Sequence, residues 1–369
     1  MRIRGNTQLR HYAGAFVGTG VALFGCAQAT QTGKAPTASI SAAGSLYGTV
    51  NSAGSRAPSV VVESRTYSFA LDRIDQRRLP LDRTYRRGGT GKGVTVYVFD
   101  GGVSTDHPEL AGRVRRGYTA FPTDPAICNA HGTAVAGAIA GATLGVAPDA
   151  EIVDVKMVEC GRLRGTIQGI VDGAKWVIED AKKHPDHRAV ANWSFIADTS
   201  AVIPALDSAV ASLLRASIPV VVSAGNLETN ACRVSPANSP GTIVVGSSSL
   251  YTDATTAMPA DRRAPGTAYG PCIDLYAPGD SVLLPSLDQD QKATTQLWNG
   301  TSMSAGYVSG AVALFLEANP AATPQQVLQH LKSTATANVV RSSRSQTNYM
   351  LYVGPVREPE PIARISAAR

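Results

Sequence analysis

Short apolar runs alternate with segments of helical period over most of the chain. Continuous runs of valine, isoleucine and other apolar residues predict buried strands at 94–99, 152–158, 189–195, 219–223 and 242–245. Apolar positions at helical spacing, or runs of small apolar residues, predict helices at 134–142, 166–182, 205–215 and 303–317. Thr323, Pro324 and Gln326 form a capping-box pattern that opens a last helix to about Leu331. Strands alternating with helices predict an α/β fold wound around a mostly parallel sheet.

The first 25 residues have the pattern of a signal peptide. A basic start precedes the apolar run 13–25, which is shorter than the ~20 residues of a membrane-spanning helix. Two endings compete. Ala27-Gln28-Ala29 is a cleavage signal near residue 29, whereas 23–26 resembles a bacterial lipobox that would lipidate Cys26 and tether the protein to a membrane. Either ending predicts export, to a secreted or periplasmic location or to a lipid anchor.

Composition divides the rest of the chain. Residues 26–63 are rich in threonine, serine, alanine and glycine, which favours a flexible linker or a short pro-segment. Residues 64–354 carry the predicted elements and form one domain, and 355–369 are a charged tail. The chain has 369 residues and a formal net charge of +6, without a lysine and arginine stripe interleaved with aromatic residues. Nucleic acid is therefore not an expected partner.

Five cysteines bear on the compartment. Without Cys26, four remain at positions 128, 160, 232 and 272, enough for two disulfides in an oxidising compartment. The alternative is a metal site, but no Cys-x-x-Cys pair is present, which disfavours zinc.

Four polar residues stand where a doubly wound sheet places its sites, beyond the carboxyl ends of strands. Asp100 follows a buried strand, His131 precedes a small-residue helix, Ser302 opens a buried helix, and Asn226 follows another buried strand. Singly, each has an ordinary structural reading as a turn former or helix cap. Together they predict nucleophilic catalysis, because a serine hydroxyl needs a base to take its proton and an acid to orient that base.

The segments VYVFDGGV, NAHGTAVAG, VVVSAGN and NGTSMSAG resemble those of subtilisin-like serine proteases, peptidase family S8, over about 69–318. The segment ALDRIDQRRLPLD and the cysteine positions resemble the proteinase K and aqualysin branch. The resemblance implies a single subtilisin-like catalytic domain with helices on both faces of the sheet. It also implies a monomeric serine endopeptidase that needs no cofactor for catalysis and acts on proteins or peptides. Asp100, His131 and Ser302 would form its triad, and Asn226 would assist the oxyanion hole.

The same resemblance assigns the substrate groove. Ser194, Phe195 and Ile196 would pair with the substrate backbone, beside Ser223, Ala224 and Gly225. Ile196 stands where the family has glycine, which predicts a restricted pocket for the residue before the scissile bond. Three further departures lie beside the triad: Gly101 for serine or threonine, Ala134 for histidine and Gly306 for proline. We expect these three to tune activity rather than abolish it.

Two structural features also follow from the resemblance. It implies the disulfides Cys128–Cys160 and Cys232–Cys272, and a structural calcium held by Asp274 with the backbone carbonyls of Pro240 and Thr242.

Two other functions remain open from the sequence. One is a secreted binding protein on a catalytically retired subtilisin fold, which Gly101, Ile196 and Gly306 keep open. The other is a different acyl transferase, such as a peptide ligase.

Overall fold

The computed structural model describes residues 20–22, 62–66, 68–197 and 202–355. Among these residues the helices are α1 Phe69–Ile74, α2 His131–Ala140, α3 Ile167–Lys183, α4 Pro204–Arg215, α5 Thr301–Ala318 and α6 Pro324–Thr334. The strands are β1 Gly20–Ala22, β2 Val62–Arg65, β3 Thr84–Arg87, β4 Val94–Asp100, β5 Val114–Thr119, β6 Glu151–Lys156, β7 Val158–Glu159, β8 Arg164–Thr166, β9 Arg188–Trp193, β10 Ile196–Ala197, β11 Val220–Ser223, β12 Ile243–Thr252, β13 Pro259–Arg263, β14 Leu275–Pro278, β15 Val282–Leu287, β16 Ala293–Trp298, β17 Thr336–Ala337 and β18 Tyr349–Met350.

One large sheet organises the chain, in the order β17-β18-β14-β12-β11-β9-β4-β6-β5. Within this order, every pair of adjacent strands from β18 to β5 is parallel. Strand β17 pairs antiparallel with β18, and the additional strand β13 pairs antiparallel with β12. Because β4 lies inside this sheet and all seven of its residues are buried, its carboxyl end delivers Asp100 to a buried edge. The fold is the α/β architecture predicted from the sequence.

Two hydrophobic clusters cover the two faces of the sheet. Successive side chains of β4 belong to alternate clusters. Val96 and Val98 lie in the first cluster, and Tyr97 and Phe99 lie in the second. The first cluster contains residues of α2 and α5, and the second contains residues of α3 and α4. Helix α5 is buried over almost its whole length, which explains why its residues are small and apolar on every side.

The predicted elements are confirmed with shifted ends. Helix α2 begins at His131 itself, and α6 has the capping box between Thr323 and Gln326. The predicted strand at 152–158 is two strands, because pairing changes partner after Lys156. Both predicted disulfides are present, Cys128–Cys160 and Cys232–Cys272.

The predicted signal peptide, linker and tail fall mostly outside the described residues, and their limits stay predictions. Of the apolar run 13–25, the structure describes only β1. Within the described part of the chain, none of the helices has the length and apolar character needed to cross a membrane.

Candidate active site

Asp100 is the last residue of β4 and is fully buried. One carboxylate oxygen accepts the backbone N–H of Gly101 at 2.7 Å, and the other lies 2.8 Å from His131 Nδ1. Both carboxylate oxygens of Asp100 therefore have a hydrogen-bond partner. The contact also fixes the imidazole so that Nδ1 faces the acid and Nε2 faces away from it.

Contacts of the neighbouring residues hold His131 in place. Asn129 Oδ1 accepts the His131 N–H at 3.0 Å, and the ring lies edge-on to Trp298 with centroids 6.2 Å apart. The preceding loop is tied twice: Cys128 N–H donates to Gly101 O at 2.8 Å, and its sulfur joins Cys160. The first disulfide thus anchors the segment that presents the imidazole to Asp100.

Ser302 is the second residue of α5, where backbone N–H groups lack intrahelical acceptors. The helix starts after Gly300, whose φ of 138° is a conformation that favours glycine. Thr301 beside it binds the end of β11. Asn226 Oδ1 accepts the Thr301 N–H at 2.9 Å and its hydroxyl at 3.0 Å, which leaves the amide NH2 of Asn226 as the donor.

A buried polar network lies beneath Ser302. Ser309 donates to Asn192 Oδ1 at 2.9 Å, and Asn192 Nδ2 donates to Ser194 Oγ at 2.9 Å. Ser194 Oγ donates in turn to Ser302 O at 3.2 Å, and the Ser302 hydroxyl lies 3.3 Å from Ser194 O. The network joins β9, the segment before β10 and α5, and so fixes Ser302 relative to the predicted substrate strand.

Strands β8 and β10 border a groove in which a strand of this chain lies. Strand β1 pairs antiparallel with both, Val21 opposite Ala197 on one side and Gly165 on the other. The backbone edges of β8 and β10 therefore accept an extended peptide between them.

The predicted site residues come together at one cavity. Its lining comprises His131, Ser194, Phe195, Ile196, Ser223, Gly225, Asn226 and Ser302. Ala224, also assigned to the groove, is fully buried within the adjoining backbone and does not line the cavity. Ile196 is 4% exposed, and its side chain lies against Gly225, where an added Cβ would meet it at 3.3 Å.

The departures beside the predicted triad have different steric settings. A Cβ at Gly101 would meet its nearest neighbours at 3.5 Å or more, so a small side chain fits there. At Gly306 a Cβ would lie 2.9 Å from Ala138 Cβ and 3.0 Å from Val135 O. Gly306 therefore allows the close packing of α5 on α2, the two helices that carry Ser302 and His131.

Asp274 does not have the setting of the predicted calcium ligand. Its Oδ2 accepts the Val244 N–H at 2.9 Å, and its Oδ1 forms an ion pair with Lys332 Nζ at 2.6 Å. The lysine ammonium already supplies a cation at this carboxylate. The residue set with Pro240 and Thr242 therefore does not fit a divalent ion unless Lys332 moves away.

A carboxylate with an unused oxygen lies elsewhere, after α1. The Asp75 side chain is fully buried, and its Oδ1 has no hydrogen-bond partner among the described residues. Burial raises the pKa of Asp75 to about 7, against the backbone N–H and guanidinium of Arg86, which lower it.

Sequence reasoning did not identify Thr301, Asn192 and Ser309 as contributors to the site. Each is a small polar residue without a signal of its own in the sequence, and only the folded chain shows what its side chain touches.

Comparisons with known proteins identify the family of this chain. A model of the subtilase family, peptidase S8, matches residues 91–349. An extracellular serine proteinase of Thermus sp. strain Rt41A is 40% identical over 288 residues, which cover 77% of this chain and 66% of that protein. Alkaline serine exoprotease A of Vibrio alginolyticus is 34% identical over 312 residues, 81% of this chain and 54% of that protein. The chain thus spans less than two thirds of the length of these two relatives.

Solved structures give the same result. The crystal structure of a cold-adapted subtilisin-like serine proteinase matches with a TM-score of 0.67 and 38% identity, over 79% of this chain and all of that chain. The fold and the buried Asp100–His131 pair beside Ser302 define a subtilisin-like protein. The chain belongs to the subtilase family.

Proposed function

We propose that this protein is an extracytoplasmic serine endopeptidase that cleaves proteins or peptides through an acyl-enzyme. The observation that carries the proposal is the 2.8 Å contact between His131 Nδ1 and buried Asp100, at a cavity that Ser302 and Asn226 also line. The names of the relatives, an extracellular serine proteinase and an alkaline serine exoprotease, support serine protease chemistry. The two disulfides support an oxidising compartment.

The chemistry runs through these four residues. Ser302 Oγ attacks the substrate carbonyl carbon while His131 Nε2 takes its proton, and Asp100 stabilises the imidazolium without being protonated. The tetrahedral oxyanion is held by the Asn226 amide and the Ser302 N–H. His131 then protonates the leaving amine, and the acyl ester remains on Ser302. Water deprotonated by His131 hydrolyses this ester, releases the acid and restores the serine.

The finer parts of the proposal concern location and assembly. The enzyme acts as a monomer, and lipidation of Cys26 would tether it to a membrane. Fractionation of cultures into cell membranes and medium, for the wild type and Cys26→Ser, distinguishes the two locations. A lipid-anchored protein is found with the membranes, and a freely secreted one is found in the medium.

Fluorophosphonate labelling with peptide mapping tests the chemistry. The protein purified after export should be labelled at Ser302, and Ser302→Ala should abolish both labelling and turnover. Ser304→Ala is the matched control: this neighbouring serine donates to Ala277 O at 3.0 Å and lies outside the cavity lining. A folded, disulfide-bonded protein without labelling at Ser302 would instead support the retired binding protein. Amine acceptors incorporated into the products would indicate a ligase.

A further inference from the structure

A buried acid lies on β6, on the face of the sheet that carries the proposed triad. Asp154 is 3% exposed and is the register partner of Val98, two residues before Asp100. Register partners of parallel strands point to the same face, as do residues two apart on one strand. Asp154 and Asp100 are therefore diagonal neighbours on the face where Asp100 contacts His131.

Arg116 of the edge strand β5 is the partner of this acid. It lies opposite Asp154 in the register, and its Nη1 contacts Asp154 Oδ2 at 2.5 Å and Val103 O at 2.8 Å. Val103 follows Asp100 by three residues, so this one guanidinium holds β6 and the loop after Asp100 together. Asp154 Oδ1 is buried and has no hydrogen-bond partner within the described part of the chain.

The two acids interact electrostatically. Burial raises the pKa of Asp154 to about 6, Arg116 lowers it, and the negative charge of Asp100 raises it. Two further charged groups near this face are Lys156 and Asp124. Lys156 is the register partner of Asp100, and its ammonium lies 3.0 Å from Val158 O and 3.5 Å from Asp124 Oδ2.

We propose that Asp154 and Arg116 are a positioning pair. Their combined charge, on strands β6 and β5, sets the pH range in which His131 is neutral. The inference rests on the proposed function, because it concerns the base of that reaction. The carboxylate of Asp154 favours the imidazolium, and the guanidinium of Arg116 opposes it. When both groups are charged, their opposite effects on the His131 imidazolium nearly cancel.

The proposal predicts opposite effects of removing either charge. Asp154→Asn keeps the side-chain shape but leaves the Arg116 charge uncompensated. The acid limb of the activity profile should then move to lower pH, by about half a unit to one unit for a charge on the adjacent strand in a partly buried site. Arg116→Gln should move it to higher pH by less, because Arg116 is 41% exposed and Asp154 takes up a proton more readily without it.

A second ion pair, between β5 and α3, supplies the matched control. Arg115 of β5 contacts Asp180 of α3 at 2.5 Å, on the opposite face of the sheet. Asp180→Asn removes an equally close partner of an arginine, away from Asp100. It should leave the acid limb where it is in the wild type.

The experiment measures kcat/KM against pH for the purified wild type and the three variants, with circular dichroism to confirm folding. Shifts of opposite sign in Asp154→Asn and Arg116→Gln, with none in Asp180→Asn, are expected. Lower activity with an unmoved acid limb, or shifts of the same sign, would overturn the inference. If Asp154→Asn does not fold, the upward shift in Arg116→Gln decides alone. Wild-type protein that is not labelled at Ser302 would overturn the proposed function instead.

Discussion

The side-chain oxygen of Asn226 accepts two hydrogen bonds from Thr301, one from the N–H at 2.9 Å and one from the hydroxyl at 3.0 Å. The same hydroxyl accepts the Gly225 N–H at 3.2 Å. Thr301 thereby joins the end of β11 to the start of α5, immediately before Ser302. Because the Asn226 oxygen is taken, its NH2 group is the end that can meet an oxyanion.

Variants of Asn226 and Thr301 should affect the reaction to different degrees. In subtilisin, the source of this magnitude, loss of the equivalent asparagine lowers kcat by about 10²–10³. We expect the same of Asn226→Ala, with KM little changed. Thr301→Val removes one hydrogen bond to Asn226 and should lower kcat by about tenfold. Thr301→Ser keeps the hydroxyl and serves as the control in steady-state kinetics. Wild-type kcat in Thr301→Val would show that Asn226 needs no such support.

The network beneath Ser302 predicts a linked loss of stability and reactivity. Ser309→Ala leaves Asn192 Oδ1 fully buried without its 2.9 Å donor, which should cost about 1–3 kcal/mol of unfolding free energy. It should also slow fluorophosphonate labelling of Ser302, because Asn192 holds Ser194 against Ser302. Ser208→Ala, on exposed surface of α4, is the control for a serine lost from a helix. A destabilised Ser309→Ala protein with unchanged labelling would show that the network contributes to stability but not to the reactivity of Ser302.

The sequence predicts the strands and helices that carry this site better than the side chains that hold its residues in place. Buried strands and helices have strong apolar patterns, so β4, β11 and α5 could be located together with the polar residues that follow or begin them. The roles of Thr301, Asn192 and Asp154 depend on which strands become neighbours, and the sheet order is not written in any local pattern. The ion pair of Asp274 with Lys332 joins β14 and α6 across sequence distance, so the calcium expectation could not include it.

Ile196 should restrict the residue accepted before the scissile bond. Its buried side chain lies over Gly225 at the cavity that Ser302 lines. Ile196→Gly should widen the preference in a peptide library toward large side chains, while labelling of Ser302 persists. Ala197→Gly, the next residue on β10, is the control for added backbone freedom. Identical library profiles for the wild type and Ile196→Gly would contradict this role.

Lys332 should substitute for a metal at Asp274. Lys332→Met removes the ammonium 2.6 Å from Asp274 Oδ1 and leaves a carboxylate that is 15% exposed. We expect the Tm of the variant to fall in a chelator and to recover on addition of calcium by more than the Tm of the wild type does. Lys175→Met, which breaks an exposed pair with Asp172, is the control. An equal response of wild type and Lys332→Met to calcium would contradict this role of Lys332.

Asp75 should make stability fall as pH rises. Its pKa is raised by burial from 3.8 to about 7, so the folded protein holds this proton more tightly than the unfolded chain. The stabilisation is complete below the unfolded pKa and is lost as pH rises through the folded value. Asp75→Asn is neutral throughout, so its Tm should exceed that of the wild type at about pH 8, and the difference should vanish toward about pH 4. The comparison belongs in chelated buffer, because a cation near Oδ1 would add a counter-charge to that of Arg86. Parallel Tm profiles of the two proteins would show that Asp75 stays ionised in the folded state.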